Sequence, residues 1–151
     1  MSRFKGTTVI VTGSGRDNGL GQGILRRFAD EGANCVVSDI GAPAPHIGAE
    51  NIGSTLEMEE VAQELIERGG QAMTLPCDVR DEQGCQEMIH AAADHFGGVD
   101  VMINNAGIGY IMKALLDTSA DEWRAVIEVN LSGAFHCTKA CLLYTSDAAD
   151  D

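Results

Sequence analysis

The chain has 151 residues, of which 44% are hydrophobic and 22% charged, so length and composition predict one folded domain rather than a disordered chain. Its 10 basic and 23 acidic residues give a net charge of −13, which argues against nucleic acid or an anionic membrane surface as a partner. No run approaches the ~20 consecutive apolar residues of a membrane-spanning helix, and the N-terminus carries no secretory signal pattern. Five cysteines without Cys-x-x-Cys spacing fit a reducing cytoplasm and predict neither a disulfide framework nor a metal site.

The first half of the chain alternates predicted strands and helices. A strand over residues 8–12 runs into a glycine-rich turn, and a helix follows with apolar residues at Leu20, Ile24, Leu25 and Phe28. A second strand over residues 34–39 ends at Asp39, and the prolines and glycines of residues 40–55 predict a loop. Ser54 and Glu57 have capping-box spacing, which predicts the start of a second helix.

The second half continues the same alternation. A third strand is predicted over residues 71–77, a third helix over residues 85–96 and a fourth strand over residues 99–104. A last helix, capped by Thr118 or Ser119, is expected to bury the apolar face formed by Trp123, Val126, Ile127, Leu131 and Phe135. This order predicts an α/β fold, a Rossmann-like doubly wound parallel sheet in three α/β/α layers. Ligands of such folds bind at the carboxyl ends of the strands.

The turn after the first strand has the composition of a phosphate-binding loop. It holds five glycines within eleven residues, at positions 13, 15, 19, 21 and 23, between a strand and a helix. A flexible turn is the alternative. The Gly-Lys-Ser/Thr ending of a nucleoside triphosphate loop is absent from this run, which argues against ATP hydrolysis.

Asp39 stands where a carboxylate accepts hydrogen bonds from an adenosine ribose in this fold, which favours NAD over NADP. The alternative is a helix-capping or solvated aspartate. Arg16 in the glycine loop leaves NADP open, because a guanidinium pairs well with a 2′-phosphate.

Two asparagine positions are further candidates. Asn104-Asn105-Ala106-Gly107 follows the fourth strand, and a simple turn explains it as well as a binding site does. Asn130 falls on the apolar stripe of the last helix, so we expect a buried amide that is either hydrogen-bonded structurally or part of an active site. The histidines at positions 46, 90, 95 and 136 lack ligand spacing and are interpreted as structural or surface residues.

Taken in order, these motifs resemble the short-chain dehydrogenase/reductase family over residues 5 to about 140. The resemblance implies an NAD(P)-dependent oxidoreductase that acts on a small-molecule alcohol or ketone, with a parent protein that is a homodimer or homotetramer. It implies that Gly13, Gly19, Leu20 and Gly21 lie along the pyrophosphate and that Asp39 holds the adenosine ribose. It further implies that Asp78 and Val79 contact the adenine and that Asn105, Ala106 and Gly107 line the inner ribose. Asn130 matches the family's catalytic asparagine.

The sequence departs from the family in three places. The glycine loop has five residues, 14–18, where three are usual, and no serine and Tyr-x-x-x-Lys set follows Asn130, because Tyr144 is followed four positions later by Ala148. Residues 141–151 resemble a translated sequencing adapter, which predicts a nucleotide-binding domain over residues 1–140, truncated after its fourth strand and following helix, with a non-native tail. Such a fragment is expected to be inactive alone. A non-catalytic NAD-binding module and an S-adenosylmethionine-dependent methyltransferase are the alternatives.

Overall fold

The computed structural model describes residues 2–45, 47–48, 52–109 and 113–147. The strands are β1 (Thr8–Thr12), β2 (Asn34–Ser38), β3 (Gln71–Thr74) and β4 (Val101–Ile103). The helices are α1 (Leu20–Ala29), α2 (Thr55–Glu67), α3 (Glu82–Phe96), α4 (Ala120–Ile127) and α5 (Ala134–Asp147). A 3-10 turn (Leu115–Asp117) precedes α4, and a π-helical segment (Glu128–Gly133) joins α4 to α5. The predicted alternation of strands and helices is confirmed.

All strand pairings are parallel, and the sheet order is β3-β2-β1-β4. In the register, Val9 pairs with Cys35 on one side and with Val101 on the other. Every residue of β1 and β2 is buried, as expected for central strands of a parallel sheet. The parallel arrangement brings the carboxyl ends of the strands to a single edge of the sheet.

Helices cover both faces of this sheet. Val9, Val11 and Val37 pack with residues of α1 and α2, such as Leu25 and Leu65, in one buried cluster. The alternate strand residues Ile10 and Val36 pack with residues of α3 and α5 in a second cluster. This two-residue alternation gives three layers, and the predicted Rossmann-like three-layer fold is confirmed.

Side chains cap three of the helix starts. The predicted capping box of Ser54 and Glu57 begins α2, and a second capping box begins α4 at Ser119. Asp81 caps α3 by accepting a hydrogen bond from the backbone N–H of Gln83. Helix α1 begins differently, because its N-cap residue is Gly19.

Two strands are shorter than predicted, since β3 ends at Thr74 and β4 begins at Val101. The backbone pairing still continues past β3: the N–H of Leu75 donates to Val37 O at 2.9 Å, and the N–H of Cys77 donates to Asp39 O at 2.8 Å. Pro76 lies between these two donors, so its missing N–H falls on the side of this edge strand that faces away from β2.

The last helix was predicted as a single helix, but the structure divides it into α4, the π-helical segment and α5, and the predicted buried face is wrong. From α4 to Cys137 the buried residues are Ala125, Val129, Gly133 and Cys137, which recur every four positions, whereas Trp123 is 59% exposed rather than in the core. Leu131 and Phe135 are exposed as well. The π-helical segment has more residues per turn than an α-helix, so a face extrapolated at a period of 3.6 is displaced beyond it.

Within the described ranges, none of the helices is long and apolar enough to cross a membrane. Helix α5 continues past Ala140 to Asp147 without interruption. The domain boundary at residue 140 stays a prediction.

Candidate functional site

A cleft of about 310 Å³ opens where the carboxyl ends of the strands meet. Six segments line it: the turn after β1 with the start of α1, the end of β2, the loop before α2, the segment after β3, the segment after β4 and the π-helical segment. Most of the predicted binding residues line this cleft, namely Gly13, Gly19, Leu20, Asp39, Asp78, Val79, Asn105, Ala106 and Gly107. The structure thus brings together residues that are far apart in the sequence.

The glycines of the first turn permit close backbone approaches. Gly13 has a φ of +65°, and a Cβ there would lie 2.8 Å from the Cα of Ala106. Gly21 does not line the cleft; a Cβ there would lie 2.7 Å from the carbonyl oxygen of Gly13. Gly21 therefore lets the first turn of α1 pack directly on the glycine loop.

The start of α1 lies at the cleft and is uncapped. Gly19 and Leu20 both line the cleft, and among the described residues no side chain hydrogen-bonds to the first-turn amides of α1. No acidic residue lies in that first turn either. Leu20 is 76% exposed, so its predicted place on the buried face of the helix is wrong. The positive end of the α1 dipole is thus open to an anionic ligand.

Asp39 is a buried carboxylate held by backbone amides. Its Oδ1 accepts hydrogen bonds from the N–H groups of Ile40 (2.9 Å) and Gly53 (3.1 Å), and its Oδ2 accepts one from Gly15 (3.1 Å). Burial raises the pKa of Asp39, an effect that these amides and the charge of Arg16 partly offset. The alternative of a helix-capping or solvated aspartate is wrong: this side chain ties the glycine loop to the loop before α2.

Asp78 is paired with a residue that the sequence did not single out. Arg80 donates to both carboxylate oxygens of Asp78, at 2.9 Å from Nε to Oδ1 and 2.6 Å from Nη2 to Oδ2. Burial favours a higher pKa for Asp78, but the hydrogen bonds from Arg80 outweigh it and lower the pKa. The ion pair fixes the segment from Asp78 to Arg80 at the entrance to α3.

Asn105 fixes the turn after β4 against the glycine loop. Its Nδ2 donates to the carbonyl oxygens of Thr12 (2.9 Å) and Gly13 (3.0 Å). Thr12 Oγ1 accepts hydrogen bonds from the backbone N–H groups of Asn105 (3.2 Å) and Ala106 (3.1 Å). Asn104 instead donates from Nδ2 to Thr138 Oγ1 on α5 at 3.0 Å. The turn therefore serves structure and also lines the cleft.

Asn130 lies on the π-helical segment and is exposed, so the expectation of a buried amide is wrong. Its side chain pairs with the backbone of Ile108, which lines the cleft: Oδ1 accepts from the Ile108 N–H at 2.8 Å, and Nδ2 donates to the Ile108 carbonyl at 2.9 Å. A Cβ on Gly133, in the same segment, would lie 2.5 Å from Val79 Cγ2. The π-helical segment thus contacts the cleft wall at two points, Ile108 and Val79.

Sequence reasoning missed several residues of the site. Nothing in the sequence around Thr12 or Arg80 indicates the hydrogen bonds that these residues make. Ile47 and Ile52 line the cleft, and apolar residues within a predicted loop are a pattern that could have indicated this. Among the histidines, His90 and His95 are exposed, and a ring nitrogen of His136 lies 3.0 Å from Val79 O. His46 lies outside the described residues. Arg16 is exposed and lines the cleft.

The sequence is similar to those of known proteins. The profile of the family described as short chain dehydrogenase matches residues 7–149. Glucose 1-dehydrogenase 2 of Bacillus subtilis is 37% identical over 91% of this chain and 48% of its own length. Meso-2,3-butanediol dehydrogenase of Serratia marcescens is 34% identical over 93% of this chain and 49% of its own length.

The fold is similar to that of a short chain dehydrogenase from Mycobacterium avium, with a TM-score of 0.83 at 34% identity over 99% of this chain and 50% of that one. The crystal structure of carveol dehydrogenase from Mycobacterium avium, in complex with NAD, superposes with a TM-score of 0.83 at 26% identity, over 94% of this chain and 50% of that one. The chain spans about half the length of the curated relatives it matches. The profile match covers nearly the whole sequence. The chain therefore belongs to the short-chain dehydrogenase family.

Proposed function

We propose that the cleft binds NAD and that the parent protein is a dehydrogenase that interconverts an alcohol and a ketone. This proposal rests on the uncapped start of α1. It lies in the same cleft as the carboxylate of Asp39 at the end of β2. An anionic pyrophosphate suits the first feature, and ribose hydroxyls suit the second. Glucose and butanediol, named for two of the relatives, are both substrates rich in hydroxyl groups.

The proposed roles follow the position of each residue. Gly13, Gly19 and Leu20 would contact the pyrophosphate, and Gly21 would allow α1 to approach it. Asp39 would accept a hydrogen bond from a ribose hydroxyl at Oδ2. This oxygen accepts one hydrogen bond, from the N–H of Gly15, and so keeps a lone pair for the hydroxyl. Asp78 and Val79 would border the adenine, and Asn105, Ala106 and Gly107 the inner ribose. When bound, the nicotinamide supplies the hydride donor or acceptor.

Asn130 would act in catalysis by organising a water molecule in the proton relay of the parent enzyme. Its two hydrogen bonds to Ile108 support a second contribution, which is to hold the cleft wall in place. The tyrosine and lysine that the resemblance implies are not among these 151 residues, so the proposal for this chain alone is coenzyme binding without turnover.

We propose NAD rather than NADP because the Asp39 carboxylate would repel a 2′-phosphate. Arg16 also lines the cleft, so the two coenzymes must be compared directly. Titration of the chain with NADH, NADPH and S-adenosylmethionine, followed by fluorescence and calorimetry, makes this comparison. We expect NADH to bind about tenfold or more tightly than NADPH, which corresponds to ~1.4 kcal/mol. Binding of S-adenosylmethionine but not NADH would overturn the proposal.

A substitution at the helix start tests the same proposal. Gly19→Asp should cap α1 and place a negative charge where the pyrophosphate is expected, so NADH affinity should fall at least about tenfold. The new Cβ would lie 3.2 Å from the Arg16 carbonyl oxygen, and the cap should offset this tight contact, so Tm should change little. Gly23→Asp is the matched control, since a Cβ at Gly23 meets nothing within 4 Å. Equal NADH affinity in the two variants would contradict a pyrophosphate at α1.

The setting of the parent protein completes the proposal. All five cysteines are free thiols, which supports a reducing, cytoplasmic environment. The exposed apolar side chains of Trp123, Leu131 and Phe135 support assembly of the parent protein into a homodimer or homotetramer. Light scattering of the purified parent checks this, and a monomer would rule it out.

A further inference from the structure

Three thiols meet behind the wall of the cleft. Cys85 Sγ lies 4.0 Å from Cys77 Sγ and 3.6 Å from Cys137 Sγ, and the three side chains belong to the same buried cluster. Cys77 follows β3, Cys85 lies in the first turns of α3, and Cys137 lies in α5. None of these sulfurs has a role in the proposed function.

The three thiols differ in access to the cleft. Cys77 lines the cleft and is 7% exposed, whereas Cys85 and Cys137 are fully buried and do not line it. A small molecule that enters the cleft therefore meets Cys77 first and Cys85 directly behind it. Cys77 also lies in a connecting segment rather than in a helix, so its side chain can approach Cys85 without movement of a helix axis.

We propose that Cys77 and Cys85 form a reversible disulfide when a peroxide enters the cleft, and that this oxidation and dinucleotide binding exclude one another. The second half of this proposal rests on the proposed function. Closure needs the two sulfurs to move from 4.0 Å to a bonded distance of ~2.05 Å.

The chemical step balances with the peroxide as oxidant. The Cys77 sulfur passes its proton to Cys85, to which it donates a hydrogen bond, and attacks one peroxide oxygen; the O–O bond breaks, and the hydroxide that leaves takes up a proton to form water. The Cys85 sulfur then attacks the sulfenic acid on Cys77, the S–S bond forms, the S–O bond breaks, and the second hydroxide leaves as water with the proton of Cys85. The two thiols lose two electrons and the peroxide is reduced to two waters.

The geometry of the cluster supports this assignment of roles. Cys77 lines the cleft and Cys85 is fully buried, so a peroxide in the cleft reaches the Cys77 sulfur first. Hydrogen bonds from Cys137 and Cys77 favour the thiolate at Cys85 and lower its pKa. Cys85 can therefore take the proton from Cys77 as that sulfur attacks peroxide, and Cys85 is the one that resolves the sulfenic acid.

The disulfide would affect coenzyme binding through its neighbours in the chain. Cys77 immediately precedes Asp78 and Val79, which line the cleft, and its own backbone N–H pairs with the carbonyl of Asp39. Drawing Cys77 toward α3 displaces these residues from the positions they hold in the reduced protein. Because the coupling is reciprocal, a bound dinucleotide must disfavour the disulfide to the same extent.

Mass spectrometry of the 151-residue chain after treatment with hydrogen peroxide tests the disulfide itself. We expect a loss of two hydrogens per chain and one linked peptide pair that contains Cys77 and Cys85, reversed by dithiothreitol. Cys77→Ala and Cys85→Ala should each abolish the linked pair. Cys35→Ala, which removes a fully buried thiol on the other face of the sheet, and Cys137→Ala should both retain it.

The outcomes are decisive for each half of the proposal. A Cys85–Cys137 link, or no link in the wild-type chain, overturns the disulfide whether or not the variants fold. Saturating NADH, with occupancy checked by fluorescence, should slow formation of the link at least about fivefold, and oxidation should weaken NADH binding by the same factor. If the Cys77–Cys85 link forms equally fast when NADH occupies every chain, oxidation and dinucleotide binding do not exclude one another. If the chain never binds NADH, the proposed function is overturned, and the mass-spectrometric experiment alone then decides on the disulfide.

Discussion

Gly13 is constrained in two independent ways. Its φ of +65° lies in the left-handed region, and the Cα of Ala106 occupies the space next to the position of a Cβ. The glycine is therefore required by the backbone conformation of the loop and by the turn after β4 that packs on it.

Gly13→Ala should lower the free energy of unfolding by roughly 2–4 kcal/mol, the sum of left-handed strain and overpacking. Gly6→Ala is the matched control, because Gly6 also has a positive φ, +83°, but a Cβ there meets nothing within 4 Å. That variant should lose only about 1 kcal/mol. Urea denaturation measures both, and equal losses would show that the contact with Ala106 contributes nothing.

Asn130 controls the segment after β4 through a single backbone residue. Asn130→Ala removes both hydrogen bonds to Ile108, so the Ile108 amide should exchange with solvent about tenfold faster, equivalent to ~1.4 kcal/mol. Asn104→Ala is the control, since it removes a hydrogen bond to Thr138 and should leave the exchange of Ile108 unchanged. Hydrogen-exchange NMR measures both rates, and identical rates in wild type and Asn130→Ala would refute this role.

At the scale of elements, Glu64 joins α1 to α2. It accepts hydrogen bonds from Gln22 Nε2 (2.8 Å) and Arg26 Nε (2.7 Å) on α1, and from Arg68 Nε (2.9 Å) at the end of α2. The hydrogen bond from Arg26 makes the largest contribution to lowering the pKa of Glu64 below its ordinary value of 4.5. The stabilisation is therefore present above pH 4.5 and is lost as the pH falls through the folded-state pKa.

Glu64→Gln should lower the free energy of unfolding by about 1 kcal/mol at pH 7, and the difference from wild type should shrink as the pH falls below 4.5. Glu60→Gln, at an exposed position on the same helix, should have little effect at either pH. Chemical denaturation at several pH values measures the difference. A difference that grows on acidification would contradict the argument.

Elements whose signals are local could be predicted from the sequence. The apolar run of β1, the capping box at Ser54 and the end of the third helix at residue 96 each depend on neighbouring residues, and the structure confirms them. The edge of the sheet where the candidate site forms follows from the strand order alone, which explains why most predicted residues line one cleft. The roles of those residues stay predictions.

Features that depend on distant contacts could not be predicted. The partners of Asp39 come from Gly15 and Gly53, which a linear pattern does not bring together. The buried face from α4 to α5 includes the small residues Ala125 and Gly133, whereas the hydrophobic pattern singled out Trp123 and Phe135. Close packing of the π-helical segment on Val79 selects small side chains, and a hydrophobicity pattern does not detect this.

At the scale of the whole molecule, the cleft depends on contacts between segments that are far apart in the sequence. Asn105 and Thr12 hold the turn after β4 against the turn after β1, and Asn130 extends this connection to the π-helical segment. The thiol cluster lies behind the same wall, next to Val79. Changes at the ends of β1, β3 and β4 are therefore expected to affect one site jointly rather than three sites separately.

The central position of β1 also determines when this site can form during synthesis. Val9 pairs with Val101, and the amide of Asn105 fixes the carbonyls of Thr12 and Gly13, so the loop lacks its restraint until the ribosome has translated those later residues. At roughly 5–20 residues per second, the nascent chain spends about 5–20 seconds with one apolar edge of β1 unpaired. Shielding of that edge by a chaperone or by the ribosome surface would matter most in this interval, before any coenzyme could stabilise the fold.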